Sequence, residues 1–116
     1  MKIPQLSDLK EIDNDLVRLT ALQIKKDFEM YGLEINLEDS VNNYQTLFSQ
    51  IKPHIKYLSD FKFPKLLEVL YRIDLEEKTI FQFAENHPDF TIDEAISHLI
   101  IEREFKKVWI RKNYSS

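Results

Sequence analysis

Three side chains near the end of the chain have types and a spacing that suit chemistry: Glu94, His98 and Glu102 follow one another in steps of four. On a helix, at roughly 100° per residue, such steps stack side chains along one face. Carboxylate, imidazole and carboxylate would then point the same way, toward a cation. A metal centre inside a helical bundle usually draws ligands from several helices, as Glu-x-x-His on two of them plus two further glutamates. The chain contains no Glu-x-x-His. Glu94, His98 and Glu102 are therefore weak metal candidates, and a solvated ladder of i,i+4 pairs is the preferred account.

Other chemistries have less to stand on. The absence of cysteine removes thiol nucleophiles, zinc-thiolate sites and disulfides, and it fits a reducing compartment, so a cytoplasmic protein is expected. A single glycine leaves no phosphate-cradling loop or dinucleotide fingerprint, and there is no G-x-S-x-G elbow. Ser97 adjoins His98, but adjacent helix positions do not face each other. His54 and His87 stand beside Pro53 and Pro88 without a partner motif. No catalytic residue is assigned and no cofactor is expected, so the balance is against an enzyme.

The element that carries the ladder is Thr91 to Lys112, which reads as one long helix opened by a capping box of Thr91 and Glu94. Ile92, Ala95, Ile96, Leu99 and Ile100 fall on one side of it, whereas Ile101, Phe105, Val108 and Trp109 fall nearly opposite. Each such side chain forgoes about 1.5–3 kcal/mol if left in water, so both sides need cover. Two arrangements supply it. Either the helix runs through the middle of the domain, or the face of Ile101, Phe105, Val108 and Trp109 is open and binds a second copy or another protein.

Charge sharpens the second arrangement. Residues 103–114 carry five cations against Glu104, a net +4 in a chain of net −4, and Lys106, Lys107, Arg111 and Lys112 would edge the apolar face as a basic rim. Such a rim suits an acidic protein, anionic lipid or nucleic acid, although the acidity of the whole chain weighs against nucleic acid. Arg103 projects among apolar positions and calls for a carboxylate, with Asp74 as the candidate for a buried ion pair.

The remaining chain is helical punctuation around this element. Leu16 to Tyr31 reads as a helix ended by Gly32, preceded by a helical turn carrying Ile3, Leu6, Leu9 and Ile12, either a short helix or the lead-in to a longer one. Residues 33–39 alternate like a strand but have nothing to pair with, so an extended connector is expected. Asp39 or Ser40 would cap a helix through Leu58, kinked at Pro53; Pro64 would open another. A break at Asp74, with Glu77 completing a second capping box, precedes a helix turning Ile80, Phe81 and Ala84 inward. The expected fold is all-α: one domain, an irregular bundle of four to six helices with a long, central C-terminal helix. No window reaches the length and apolarity of a transmembrane segment. The expected function is a non-catalytic protein–protein interaction module, a homodimer or an adaptor or inhibitor. Nucleic-acid or anionic-surface binding, and a small metal protein or enzyme, are the alternatives.

Overall fold

The computed structural model describes residues 14–38 and 41–114, so the expected turn at residues 3–12 and the caps at Asp39 and Ser40 lie outside the described residues. Five helices follow in order: α1 (Asn14–Glu29), α2 (Tyr44–Phe61), α3 (Phe63–Ile73), α4 (Glu77–Asn86) and α5 (Ile92–Tyr114). No strand occurs among the described residues, and the architecture is an all-α irregular bundle with the long last helix packed against the others.

Helix α5 starts where its capping box places it. The Thr91 amide donates to Glu94 Oε1 at 2.9 Å and the Glu94 amide to Thr91 Oγ1 at 3.2 Å, so two free amides of the first turn are satisfied reciprocally. From Ala95 onward the helix is buried on both of its apolar sides, down to Val108 and Trp109. It contacts all four other helices, most extensively α1 and then α2.

This burial corrects the reading of Ile101, Phe105, Val108 and Trp109 as an open interaction face. Their exposures are 1%, 0%, 5% and 8%, so within the folded chain the face is core. A helix that is apolar on two sides has been given neighbours on both, and the central-helix alternative is the one realised.

The other elements depart from the sequence reading only locally. The cap of α2 is Asn43, whose Oδ1 accepts from the Thr46 amide at 2.9 Å. Helix α2 then runs through Pro53 to Phe61, and α3 begins one residue after it ends, with Pro64 in its first turn. At Asp74 the backbone turns left-handed (φ 70°), a position that ends α3 in the way a glycine usually would. Asp74 is consequently a C-cap, Glu76 precedes α4 without a side-chain cap, and the expected Asp74–Glu77 capping box does not form. On α4 Ile80 is buried but Phe81 is 59% exposed, contrary to its expected inward position.

The alternation in residues 33–38 has a simple physical use. Leu33, Ile35 and Leu37 are buried, while the amides that follow Ile35 and Leu37 point to α2: Asn36 donates to His54 Nε2 at 3.2 Å and Glu38 to Gln50 Oε1 at 2.9 Å. Side chains on α2 thus replace the missing neighbouring strand, which explains His54 without any ligand role.

Because Phe105 has no exposed surface, Phe105→Ala should lower unfolding stability by about 3–5 kcal/mol. Urea titration followed by circular dichroism checks this. A loss under about 1 kcal/mol would mean that the face is not core.

Candidate functional site

The ladder of Glu94, His98 and Glu102 is real as a helical row, yet the three do not converge. Glu94 bends back to cap Thr91 and receives Lys52 Nζ from α2 at 3.2 Å. The His98 Nδ1 lies 2.7 Å from the Tyr44 hydroxyl, and its Nε2 faces Glu102 Oε2 at 3.7 Å. Both imidazole nitrogens are thereby engaged, and no group of His, Asp and Glu among the described residues could hold a metal ion.

What the row does build is an aromatic cluster. His98 stacks on Phe83 of α4 with ring centroids 5.0 Å apart, and His87 stacks on the same ring at 4.1 Å. Phe90 meets Phe83, His87 and His98 edge-on, and Tyr44 stacks on Phe48. Packing of this kind locks the ends of α2 and α4 against the first half of α5.

The chain Tyr44–His98–Glu102 has the order of a nucleophile, a base and an orienting carboxylate. Its electrostatics run the other way. Burial, reinforced by the Glu102 charge, pushes the Tyr44 hydroxyl up to about 12, which disfavours the phenolate a nucleophile would need. Burial also lowers the His98 imidazole below its ordinary range, only partly opposed by Glu102, which favours the neutral ring beside Tyr44. The relay therefore holds protons where they are.

The basic rim is largely engaged inside the fold. Lys106 reaches Glu102 at 3.5 Å, Lys107 reaches Glu104 at 3.4 Å, and Arg111 donates to Gln23 Oε1 at 3.1 Å. Arg103 finds Asp74 as expected, at 3.2 Å, and also donates through Nε to the Ile73 carbonyl at 3.3 Å, tying α5 to the end of α3. The expected burial of that pair is corrected: the Asp74 side chain is 75% exposed. As an ion pair it contributes at most about 1 kcal/mol.

The buried ionisable groups are others. Glu104 is fully buried and Asp27 is 3% exposed. Gln23 Nε2 and Arg72 Nε both donate to Asp27 Oδ1, at 3.1 and 3.2 Å. Neither oxygen of Glu104 has a well-formed hydrogen bond from a neighbour, Lys107 notwithstanding, because its 3.4 Å approach is poorly directed. A protonated Glu104 resolves this by donating to Asp27. Burial, followed by the hydrogen bond to and charge of Asp27, accordingly raises the Glu104 carboxyl to about 8, against the pull of Lys107. Burial also raises Asp27, but hydrogen bonds from Glu104, Gln23 and Arg72 more than offset it and leave it below the ordinary range. The sequence carried the signal, since Glu104 lies three residues after Ile101 and four before Val108, on the face now known to be core.

On the opposite end of the molecule an apolar groove opens between α3, α4 and the first turn of α5. Phe63, Leu67, Leu70, Ile80, Phe81 and Ile92 form most of its lining, with Glu77 at the lip, around a cavity of about 170 Å³. Phe63, Phe81 and Ile92 remain 47%, 59% and 43% exposed. A second depression beside it continues past Tyr71 and Leu75 to Asp74 and Glu76. The sequence reading missed this site because it turned Phe81 inward and set Ile92 on a covered side of the last helix. No protein-family model, curated protein or solved structure matches the chain.

The buried carboxyl pair sets a pH dependence. The folded chain holds the Glu104 proton to about pH 8, whereas the unfolded chain releases it near 4.5. Its contribution to stability is thus complete below 4.5 and is lost as pH rises toward 8. His98 acts oppositely, since an imidazole held neutral loses stability as pH falls below its ordinary 6.5. Glu104→Gln isolates the first effect: its melting temperature should exceed wild type by about 5 °C or more at pH 8.5, with the difference shrinking toward pH 5. A difference independent of pH would mean that Glu104 is ionised in the fold.

Proposed function

We propose that the chain is a non-catalytic protein-interaction module, of the adaptor or inhibitor type, that docks another polypeptide in the groove of α3, α4 and the start of α5. The observation that carries this reading is the exposure of Phe63, Phe81 and Ile92 around a concave apolar floor. Such side chains, gathered round a pocket rather than scattered, gain about 1.5–3 kcal/mol each when fully covered. Aromatic anchors of this type dominate interface energetics.

Charge narrows the ligand. Residues 74–94 hold seven acidic side chains and one basic one, a net −6. Glu77 stands at the lip with Glu76 beside it, and neither side chain makes an ion pair or hydrogen bond among the described residues. The segment that suits the groove presents a large apolar side chain flanked by Lys or Arg, for which an amphipathic helix is the simplest carrier. The cysteine-free composition suits a reducing compartment, and the proposal takes the cytoplasm as its setting. Nucleic-acid binding through the basic end has less support, since the chain as a whole is acidic and Lys106 is paired with Glu102.

Peptide display against the immobilised chain tests the reading. Enriched peptides should combine an apolar anchor with Lys or Arg, and should shift the methyl resonances of Leu67, Leu70, Ile80 and Ile92. Phe81→Lys should weaken them at least about tenfold, with a stability change within about 0.5 kcal/mol. Failure to enrich any peptide, or binding indifferent to Phe81→Lys with shifts elsewhere, overturns it.

A further inference from the structure

We infer that the segment fitting the groove belongs to a second copy of the chain, on the face where α1 meets the last turns of α5. This rests on the groove being a docking surface. That other face has its own shallow depression, about 430 Å³, lined by Leu19, Leu22 and Val108 together with three cations, Lys26, Arg111 and Lys112, and one acid, Asp15. Leu22 is 49% exposed, and Lys26, one helical turn further along α1, is exposed beside it. The groove is apolar with an acidic lip; this face is apolar with a basic one. An acidic groove selects a basic apolar partner, and the chain itself supplies it.

Geometry decides between folding back and pairing. Ile92 and Ile96 line the groove, while Val108 and Lys112 line the opposite face, all on α5. Twelve residues separate Ile96 from Val108, or about 18 Å of helix, and twenty separate Ile92 from Lys112, or about 30 Å. A buried, continuous helix cannot bring its two ends together, so the two surfaces meet only between molecules. The contact is heterologous: Leu22 of one copy enters the groove beside Phe81 and Ile92 of the next, with Lys26 near Glu76 and Glu77. The pair leaves one groove and one basic face unused, on different copies, so the assembly grows until it closes or is capped.

Complementation between two monomeric variants tests this with the full chain. Light scattering on a sizing column should show wild-type mass rising with protein concentration and falling between about 0.05 and about 0.5 M salt, as screening predicts. Phe81→Lys spoils the groove and Leu22→Glu spoils the basic face; both positions are exposed, and circular dichroism verifies that each variant folds. Each alone should be monomeric, and their equimolar mixture should give a dimer, since one intact face meets one intact groove. A wild type that stays monomeric overturns the second-copy inference while the peptide selection still judges the groove. Association of Leu22→Glu alone would mean that groove meets groove, and association of both variants would place the contact elsewhere; either result overturns the inference.

Discussion

A helix that is apolar on two opposite sides cannot lie on the surface of anything, and α5 imposes that constraint on the whole chain. Ile96, Leu99 and Ile100 need cover on one side, Ile101, Phe105, Val108 and Trp109 on the other, and all are buried. The two halves are covered by different helices. Tyr44 and Lys52 of α2 and Phe83 of α4 meet the first half, at His98 and Glu94. Gln23 of α1 meets the second half at Arg111, and the end of α3 meets the middle at Arg103. The connections between the helices are irregular and unequal, from the single residue between α2 and α3 to the fourteen between α1 and α2.

Burial of the face that carries Phe105, Val108 and Trp109 also encloses the one acidic residue in the second half of α5. Glu104 could not remain there as an unmatched carboxylate, because an ionised group in a dry seam costs several kcal/mol. The fold answers with a second carboxyl from α1 and a shared proton, and then balances the remaining charge on Asp27 with Arg72 from α3. Three helices are thereby joined through one small polar cluster in an otherwise apolar core. A hydrophobic pair of similar size would pack as well, but it would not specify which turn of α1 lies opposite which turn of α5.

Much of this was legible from residue spacing, and the failures have identifiable causes. The start of α5 could be read because a capping box is a local pattern needing only Thr91 and Glu94. The number of helices, the break at Asp74 and the connector after Gly32 were equally local. What spacing could not say was whether Phe105 and Trp109 faced protein or water, since both satisfy the same periodicity; only the tertiary position of α1 decides it. Glu104 was overlooked because a charge on a helix was counted toward a basic end, whereas its angle set it among core residues. The groove was missed for the converse reason: Phe63 and Phe81 are apolar residues on short helices, and which side of a ten-residue helix is covered depends on how much neighbouring structure there is to cover it.

That shortage of cover is a consequence of the fold and gives the surface its character. Helix α4 spans about 15 Å and buries only Ile80, packing chiefly on α5. It is too short and too far from α3 to close over Phe63 and Leu67, so a trough remains between them. The acidic residues of the same stretch favour the first turns of α4 and α5, where carboxylates suit the helix dipole, and Glu77 of α4 stands at the trough. Cations suit the other end of α5 for the same reason. The arrangement that stabilises each helix separately thus leaves the molecule electrically polar, with one apolar depression at its negative end and another at its positive end. Tyr44, His98 and Glu102 are meanwhile engaged with one another inside the fold, and Asp27 with Gln23 and Arg72.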